Sequence, residues 1–156
     1  DGIRDVAVTG VQTCALPILM QTTMNTDADV RPLLDGPTLL AHQQLIRSIP
    51  VSRHVTGFAV DLARATRPHE AGVPAFIKEQ VGWGAGPRAS QALILAAKTH
   101  AALAGRMNVA CDDVRHVALP VLRHRLLASF TAEAEGITTD SIVQRLLQEV
   151  RERATS

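Results

Sequence analysis

Six of the eight prolines, at positions 37, 50, 68, 74, 87 and 120, cut the chain into lengths that suit short helices, and they constrain its fold more than any other feature. Proline lacks a backbone N–H and fixes φ, so it opens a helix or ends one and cannot sit inside a central strand. Between these breaks the apolar residues recur at helical spacing. After Asp35 a helix is expected from Pro37 to about Ser48, with Leu39, Leu40, Gln43, Leu45 and Ile46 on one side, and Pro50 stops it. Ser52 then offers an N-cap for a second helix, in which Val55, Phe58, Ala59, Leu62 and Ala63 form a stripe. A third is expected from Pro74 to about Trp83, with Trp83 as core or shoulder packing. The fourth has the clearest limits: Pro87 opens it, Ala89 to Ala104 is rich in Ala and Leu, and Gly105 closes it. Asp112 to Leu119 reads as a fifth, with two carboxylates in its first turn and a break at Pro120. A last helix, Thr139 to about Arg151, lines up Ile142, Val143, Leu146, Leu147 and Val150 behind a Thr cap.

Composition agrees with this pattern. Of 156 residues, 46% are hydrophobic but only 3% aromatic, so the core is built from Leu, Val, Ile and Ala, which favours packed helices over a sheet sandwich. The expected fold class is all-α, a small helical bundle with short turns. A net charge of +1 gives no basic footprint for sequence-independent nucleic-acid binding. Cys14 and Cys111 are far apart and match no metal or redox spacing, which points to a reduced, cytoplasmic protein.

The first residues stand apart. VTGVQTCALPI, Val8 to Ile18, is too short and too interrupted to span a membrane, and it lacks the positive leader of a signal peptide. By physics alone it is a poorly ordered terminus. The run resembles the in-frame translation of a common sequencing-library adapter, which implies that residues 1–18 are an artefact and not native. Residues 19–35 then read as an extended lead-in, with the polar segment QTTMNTDADVR at its centre.

Few residues could carry chemistry. In GAGPRAS, Gly84 to Ser90, Arg88 lies in the opening turn of a helix, where the macrodipole disfavours a cation. Two readings stand: an exposed Arg lying over Trp83, or an anion site made of the helix N-terminus and a guanidinium fork. The stretch is not a P-loop, since it lacks GK[ST]. His42, His54, His69, His100, His116 and His124 are scattered, and no metal site is expected. Arg123 and Arg125 read as a solvated basic edge, a subunit contact or an anion site, and Glu133 and Glu135, beside Gly136, as loop solvation. Cys111 and Ser90 lack the partners of a nucleophile.

Taken together, LARATRP (Leu62 to Pro68), WGAGPRASQALILAAK (Trp83 to Lys98), GRMNVACDDVRHVALPVLRHR (Gly105 to Arg125) and AEAEGIT (Ala132 to Thr138) closely resemble the C-terminal lid of MoxR-type AAA+ ATPases. The likeness runs from about Thr22 to Val150. It implies that residues 36–151 form a helical AAA+ lid and that residues 19–35 lead in from an absent ATPase core. It also implies that Arg88 is the sensor 2 residue reaching the phosphates of ATP, with Gly86 and Pro87 shaping the helix start. For a full-length parent the resemblance implies ATP hydrolysis with Mg2+, a ring of six subunits, chaperone-like remodelling of partner proteins, and partners with von Willebrand factor A domains. Ala110 departs from the family, which usually places Thr or Ser at that cap. The 156 residues hold no GxxxxGK[ST] loop and no magnesium-holding acidic strand end, so the lid alone is not expected to hydrolyse ATP. A different expectation is a stand-alone helical protein-interaction or DNA-binding module, for which the turn from Gly105 to Asp112 is the one helix-turn-helix-like feature.

Overall fold

The structure, a computed structural model, describes residues 31–150. The adapter-like run and the first part of the lead-in lie outside the described residues, as does Arg151. The chain divides into two units, Asp1–Asp35 and Gly36–Ser156, and the second holds every element named below.

Seven helices and two short strands follow in order among the described residues: α1 Gly36–Ser48, α2 Arg53–Ala65, α3 Ala75–Gln80, β1 Val81–Trp83, α4 Pro87–Leu103, α5 Cys111–Leu122, β2 Leu127–Ala128, α6 Phe130–Ala134 and α7 Thr139–Glu149. Helix α4 is central and packs against α1, α2 and α5, while α7 closes the bundle against α5 and α2. The all-α expectation therefore holds, with one two-stranded antiparallel ribbon added.

Local chemistry explains most boundaries. The Ser52 Oγ accepts the Val55 N–H at 3.3 Å and starts α2, and the Thr138 hydroxyl accepts the Ser141 N–H at 3.2 Å and starts α7. The end of α4 is a Schellman turn: Gly105, at φ 71°, gives its N–H to Ala102 while Arg106 gives its own to Ala101. Gly136 ends α6 in the same way, with Ile137 reaching back to Ala132.

The core is aliphatic. Leu62, Ile77, Leu93, Leu122, Ile142 and Leu146 are fully buried around Phe58, and burial of each such side chain stabilises the fold by about 1.5–3 kcal/mol. The stripes expected on α2 and α7 face this core, with Leu147 and Val150 half-buried and packed against its edge.

Five expectations are corrected. Helix α1 forms as read, but none of its residues is buried, and Leu39, Leu40 and Leu45 are 50–59% exposed. Its tie to α4 lies at its far end, where the Lys98 ammonium donates to the Arg47 carbonyl at 2.8 Å. The third helix stops at Gln80, because Ser129 donates both its N–H to Gln80 and its hydroxyl to Glu79 and draws the chain into the β1–β2 ribbon. Trp83 accordingly sits in a strand and is 73% exposed, so it is not core. Pro120 does not break α5, which continues to Leu122 with the Arg123 N–H bonded to Leu119. The ring lies in the last turn on the solvent side, and burial of Val117, Ala118 and Leu122 outweighs the lost hydrogen bond. Glu133 lies within α6 and Glu135 caps it, so the two carboxylates flank a helix end instead of sitting in a loop.

Candidate functional site

The site is the start of α4, and it is fixed in place by the segment that ends α2. Thr66 is fully buried. Its hydroxyl donates to the Ala63 carbonyl at 2.7 Å and accepts the Ala85 N–H at 2.9 Å. Arg67 completes the clasp by donating from Nε to the Ala85 carbonyl, also at 2.9 Å. Both polar groups of the Ala85 backbone are therefore satisfied by two consecutive residues from LARATRP. Gly84 lies so close to the same segment that a Cβ there would be 2.5 Å from the Thr66 carbonyl oxygen and 2.6 Å from the Arg67 Cα, so no larger residue fits.

Charge pairing holds the clasp from behind. Glu70 accepts from Arg64 at 2.8 Å and from Arg67 at 3.2 Å. The Arg64 guanidinium, with help from Arg67, holds the Glu70 carboxyl below its ordinary value. Arg67, Pro68, His69, Trp83, Gly84 and Pro87 border an open cavity of about 410 Å³ beside this clasp.

From the clasp the chain passes directly into α4. Gly86 is the N-cap, extended at φ −74° and ψ 175°, and makes no side-chain cap; Pro87 follows at the first helical position. Pro87 has no N–H to leave unsatisfied and fixes φ for the first turn. Arg88 comes next and is exposed, and among the described residues no hydrogen bond or ion pair engages it. Nor does it lie over Trp83: the cation–π contacts among the described residues are Arg115 over Phe58 at 4.7 Å and Arg145 over Phe76 at 4.2 Å. Ala89 then turns inward and is buried, anchoring the turn from below. The arrangement offers a guanidinium fork at a helix N-terminus that has no side-chain cap, next to a backbone segment held by Thr66 and Arg67. Such a group suits the oxygens of a phosphate.

Elsewhere the structure brings together residues that the sequence showed only as neighbours or as scattered groups. Asp113, on the first turn of α5, is almost wholly buried and accepts from four donors: Arg106 through both guanidinium nitrogens, with Nη1 at 2.9 Å, the His100 ring at 2.7 Å and the Ala110 N–H at 2.8 Å. The Arg106 guanidinium, above all, holds its carboxyl well below the usual carboxylate range, with the Ala110 amide and His100 acting in the same sense. The Ala110 contact is half a capping box, supplied from the third helical position where the N-cap has no side-chain acceptor. His100 also stacks on His116 with ring centroids 4.1 Å apart, so these two histidines are not isolated. On the basic edge, Arg123 pairs with Asp140 at 2.9 Å, and Arg125 donates to the Val121 carbonyl and meets His124. Among the described residues no helix is long and apolar enough to cross a membrane.

Sequence reasoning named Gly86, Pro87 and Arg88, and the structure places them in one continuous turn. It missed Thr66 and Arg67 as the residues that position that turn. The signal was present in LARATRP, but its meaning depends on a contact across 19 residues.

Comparison with known proteins agrees with this architecture. Residues 75–146 match the family described as AAA lid domain. The chain is 34% identical over 126 residues to the chaperone MoxR1 of Mycobacterium tuberculosis, covering 80% of this chain and 33% of that protein. It is 26% identical over 122 residues to the uncharacterised protein YeaC of Bacillus subtilis, covering 78% of this chain and 35% of that one. A crystal structure of a protein assigned as an ATPase, from Cytophaga hutchinsonii, superposes with a TM-score of 0.72 at 30% identity, covering 84% of this chain and 40% of that chain. The chain thus spans about a third of the length of the curated relatives it matches. The helical unit, with its clasped α4 start and its capped α4–α5 corner, is an AAA lid domain of the MoxR-type AAA+ ATPases.

Proposed function

We propose that this lid serves as the nucleotide-sensing part of a MoxR-type AAA+ ATPase, with Arg88 as its sensor 2 residue. The observation that supports this reading most is the state of Arg88: exposed, unengaged among the described residues, and carried on a turn locked by Thr66, Arg67 and Gly84. A guanidinium held this way donates charge-assisted hydrogen bonds to a phosphate with little reorganisation. Gly86 leaves room above the helix end, and Pro87 sets the turn. When bound in the parent, ATP with Mg2+ supplies the bond that is hydrolysed. Residues of this chain bind and orient the phosphate end, and the lid turns as a body when that contact is gained or lost.

On this reading residues 36–151 are the lid, residues 19–35 come from the end of an ATPase core, and residues 1–18 are an adapter-derived run. The parent works as a ring of six subunits in the cytoplasm, remodels or matures other proteins as a chaperone does, and acts beside proteins with von Willebrand factor A domains. Reading the source DNA upstream of Leu19 tests the first part. A coding frame that continues into a GxxxxGK[ST] loop supports it, and a truly encoded VTGVQTCALPI refutes the adapter assignment.

The Arg88 assignment has its own test. In the complete parent, Arg88→Ala should lower ATP turnover by at least about tenfold while the melting temperature stays unchanged. Unchanged turnover would remove Arg88 from the nucleotide site.

A further inference from the structure

The β1–β2 ribbon and the helix that follows it present large apolar side chains to solvent. Phe130, at the start of α6, is 87% exposed, and Leu127 on β2 is 61% exposed. Trp83, the cross-strand partner of Leu127, continues this ground onto β1. The backbone beneath is well held: Ser129 donates its N–H to Gln80 and its hydroxyl to Glu79, Ala132 is buried, and α6 packs on α3. Large apolar side chains gathered at one edge of a fold, unlike singly scattered ones, mark a surface that meets another molecule. No residue of β2 or α6 lines the cavity beside the clasp and none belongs to α4, so this face is separate from the Arg88 turn.

The charges around the face are mostly of one sign. Glu133 follows Phe130 by three residues, hence on the same side of α6, and Glu135 caps the end. Glu79 joins them from α3, where its carbonyl accepts the Ser129 hydroxyl at 2.7 Å. All three glutamates are exposed, and among the described residues none pairs with a cation. The arginines of neighbouring elements are engaged elsewhere: Arg145 with Phe76 and Glu149, Arg123 with Asp140, and Arg125 with the Val121 carbonyl. Lys78, beside Glu79 on α3, sets one ammonium against three carboxylates. An acidic rim repels the phosphates of nucleic acid and of anionic lipid, so the body that complements this face is cationic and brings apolar side chains of its own.

We propose that this face docks a basic, extended segment of another protein, in which Lys or Arg stands on both sides of a bulky apolar residue. The apolar residue packs on Phe130 and Leu127, and the flanking cations meet Glu133 and Glu79. The spacing suits such a segment. Residues three apart on a helix have Cβ atoms about 5–6 Å apart, and every second residue of an extended chain lies on one face at about 6–7 Å. A cation two positions from the apolar anchor therefore falls opposite Glu133 when the anchor sits on Phe130. An apolar centre with a charged rim of one sign is the ordinary anatomy of a protein contact, and the sign selects the partner. This docking needs no nucleotide and does not rest on the role of Arg88.

The test uses the full 156-residue chain and, as probe, a synthetic peptide of repeated Lys-Ser-Phe-Ser units, with a Glu-Ser-Phe-Ser peptide as control. The Lys peptide should bind and shift Trp83 emission to the blue, and added salt should weaken the complex. The Glu peptide should not bind. Phe130→Ala should lower the affinity for the Lys peptide at least about tenfold at an unchanged melting temperature, since Phe130 touches little of its own fold. Reversing the rim with Glu79→Lys and Glu133→Lys together should transfer binding from the Lys peptide to the Glu peptide. The proposal is overturned if the Lys peptide does not bind, if both peptides bind the parent chain equally, or if it binds the Phe130→Ala chain as tightly as the parent. A rim-reversed chain that still prefers the Lys peptide overturns it too. So do binding of an RNA oligonucleotide that Phe130→Ala weakens, and self-association of the chain that Phe130→Ala abolishes, which would make the occupant a second copy.

Discussion

Helix α1 and the two ends of α4 obey opposite rules. In α1, leucines spaced for a core stripe remain in solvent, and not one of thirteen residues is buried. Around α4, polar side chains lie in the interior: Thr66 clasps the start, and Asp113 fastens the corner where α4 passes into α5. A helical period tells which residues share a face, but burial depends on whether another element arrives to cover it. The polar groups near α4 go inside because each finds hydrogen-bond partners there, which offsets the cost of leaving water.

This contrast makes ordered predictions. The largest loss should come from Asp113→Ala, which strands the Ala110 N–H, His100 and Arg106 together. Arg106 is 40% exposed and can rehydrate, so the expected cost is about 3 kcal/mol, read as a shift in the urea midpoint. The same carboxylate makes stability depend on pH. Its folded value is depressed, so its contribution is complete above the unfolded value of about 3.9 and is lost as pH falls below that. Denaturation series between about pH 6 and about pH 3 should show this acid loss in the parent chain and a smaller one in Asp113→Asn.

Gly84→Ala should follow, at about 2 kcal/mol, because the new methyl group meets the Thr66 and Arg67 backbone, which cannot rotate away. Thr66→Val keeps the shape but leaves the buried Ala85 N–H without its acceptor, for about 1–2 kcal/mol. At the other extreme, Leu40→Ser on α1 should change stability by less than about 0.5 kcal/mol. A large loss there, measured at concentrations where the chain is monomeric, would show that α1 is part of the core and break the comparison.

How much of this was legible in the sequence follows the range of the interactions. The Ser52 cap, the α2 stripe, Pro87 at the start of α4, Gly105 at its end and the Thr138 cap all depend on residues within one or two turns, and each was readable. Arg88 could be singled out because a cation at a helix start runs against the local field. What decides Trp83, by contrast, is Ser129, nearly fifty residues away, which pulls Val81 to Trp83 into a ribbon. Asp113 looked like an ordinary first-turn carboxylate, and its burial follows from His100 on another helix and from Arg106 in the Schellman turn. Pro120 misled because its local rule is sound, yet the packing of its neighbours carries the last turn past it.

The position of Trp83 also governs how this protein can be watched. It is the only tryptophan, the sequence has no tyrosine, and the indole is already 73% in water in the folded chain. Unfolding therefore moves the fluorophore from solvent to solvent, and its emission should scarcely shift across a melt that circular dichroism records in full. The same indole borders the cavity beside the clasp, a few residues from Arg88. A blue shift of its emission would thus signal contact with another body instead of folding, and the chain carries its own docking reporter at the edge of that cavity.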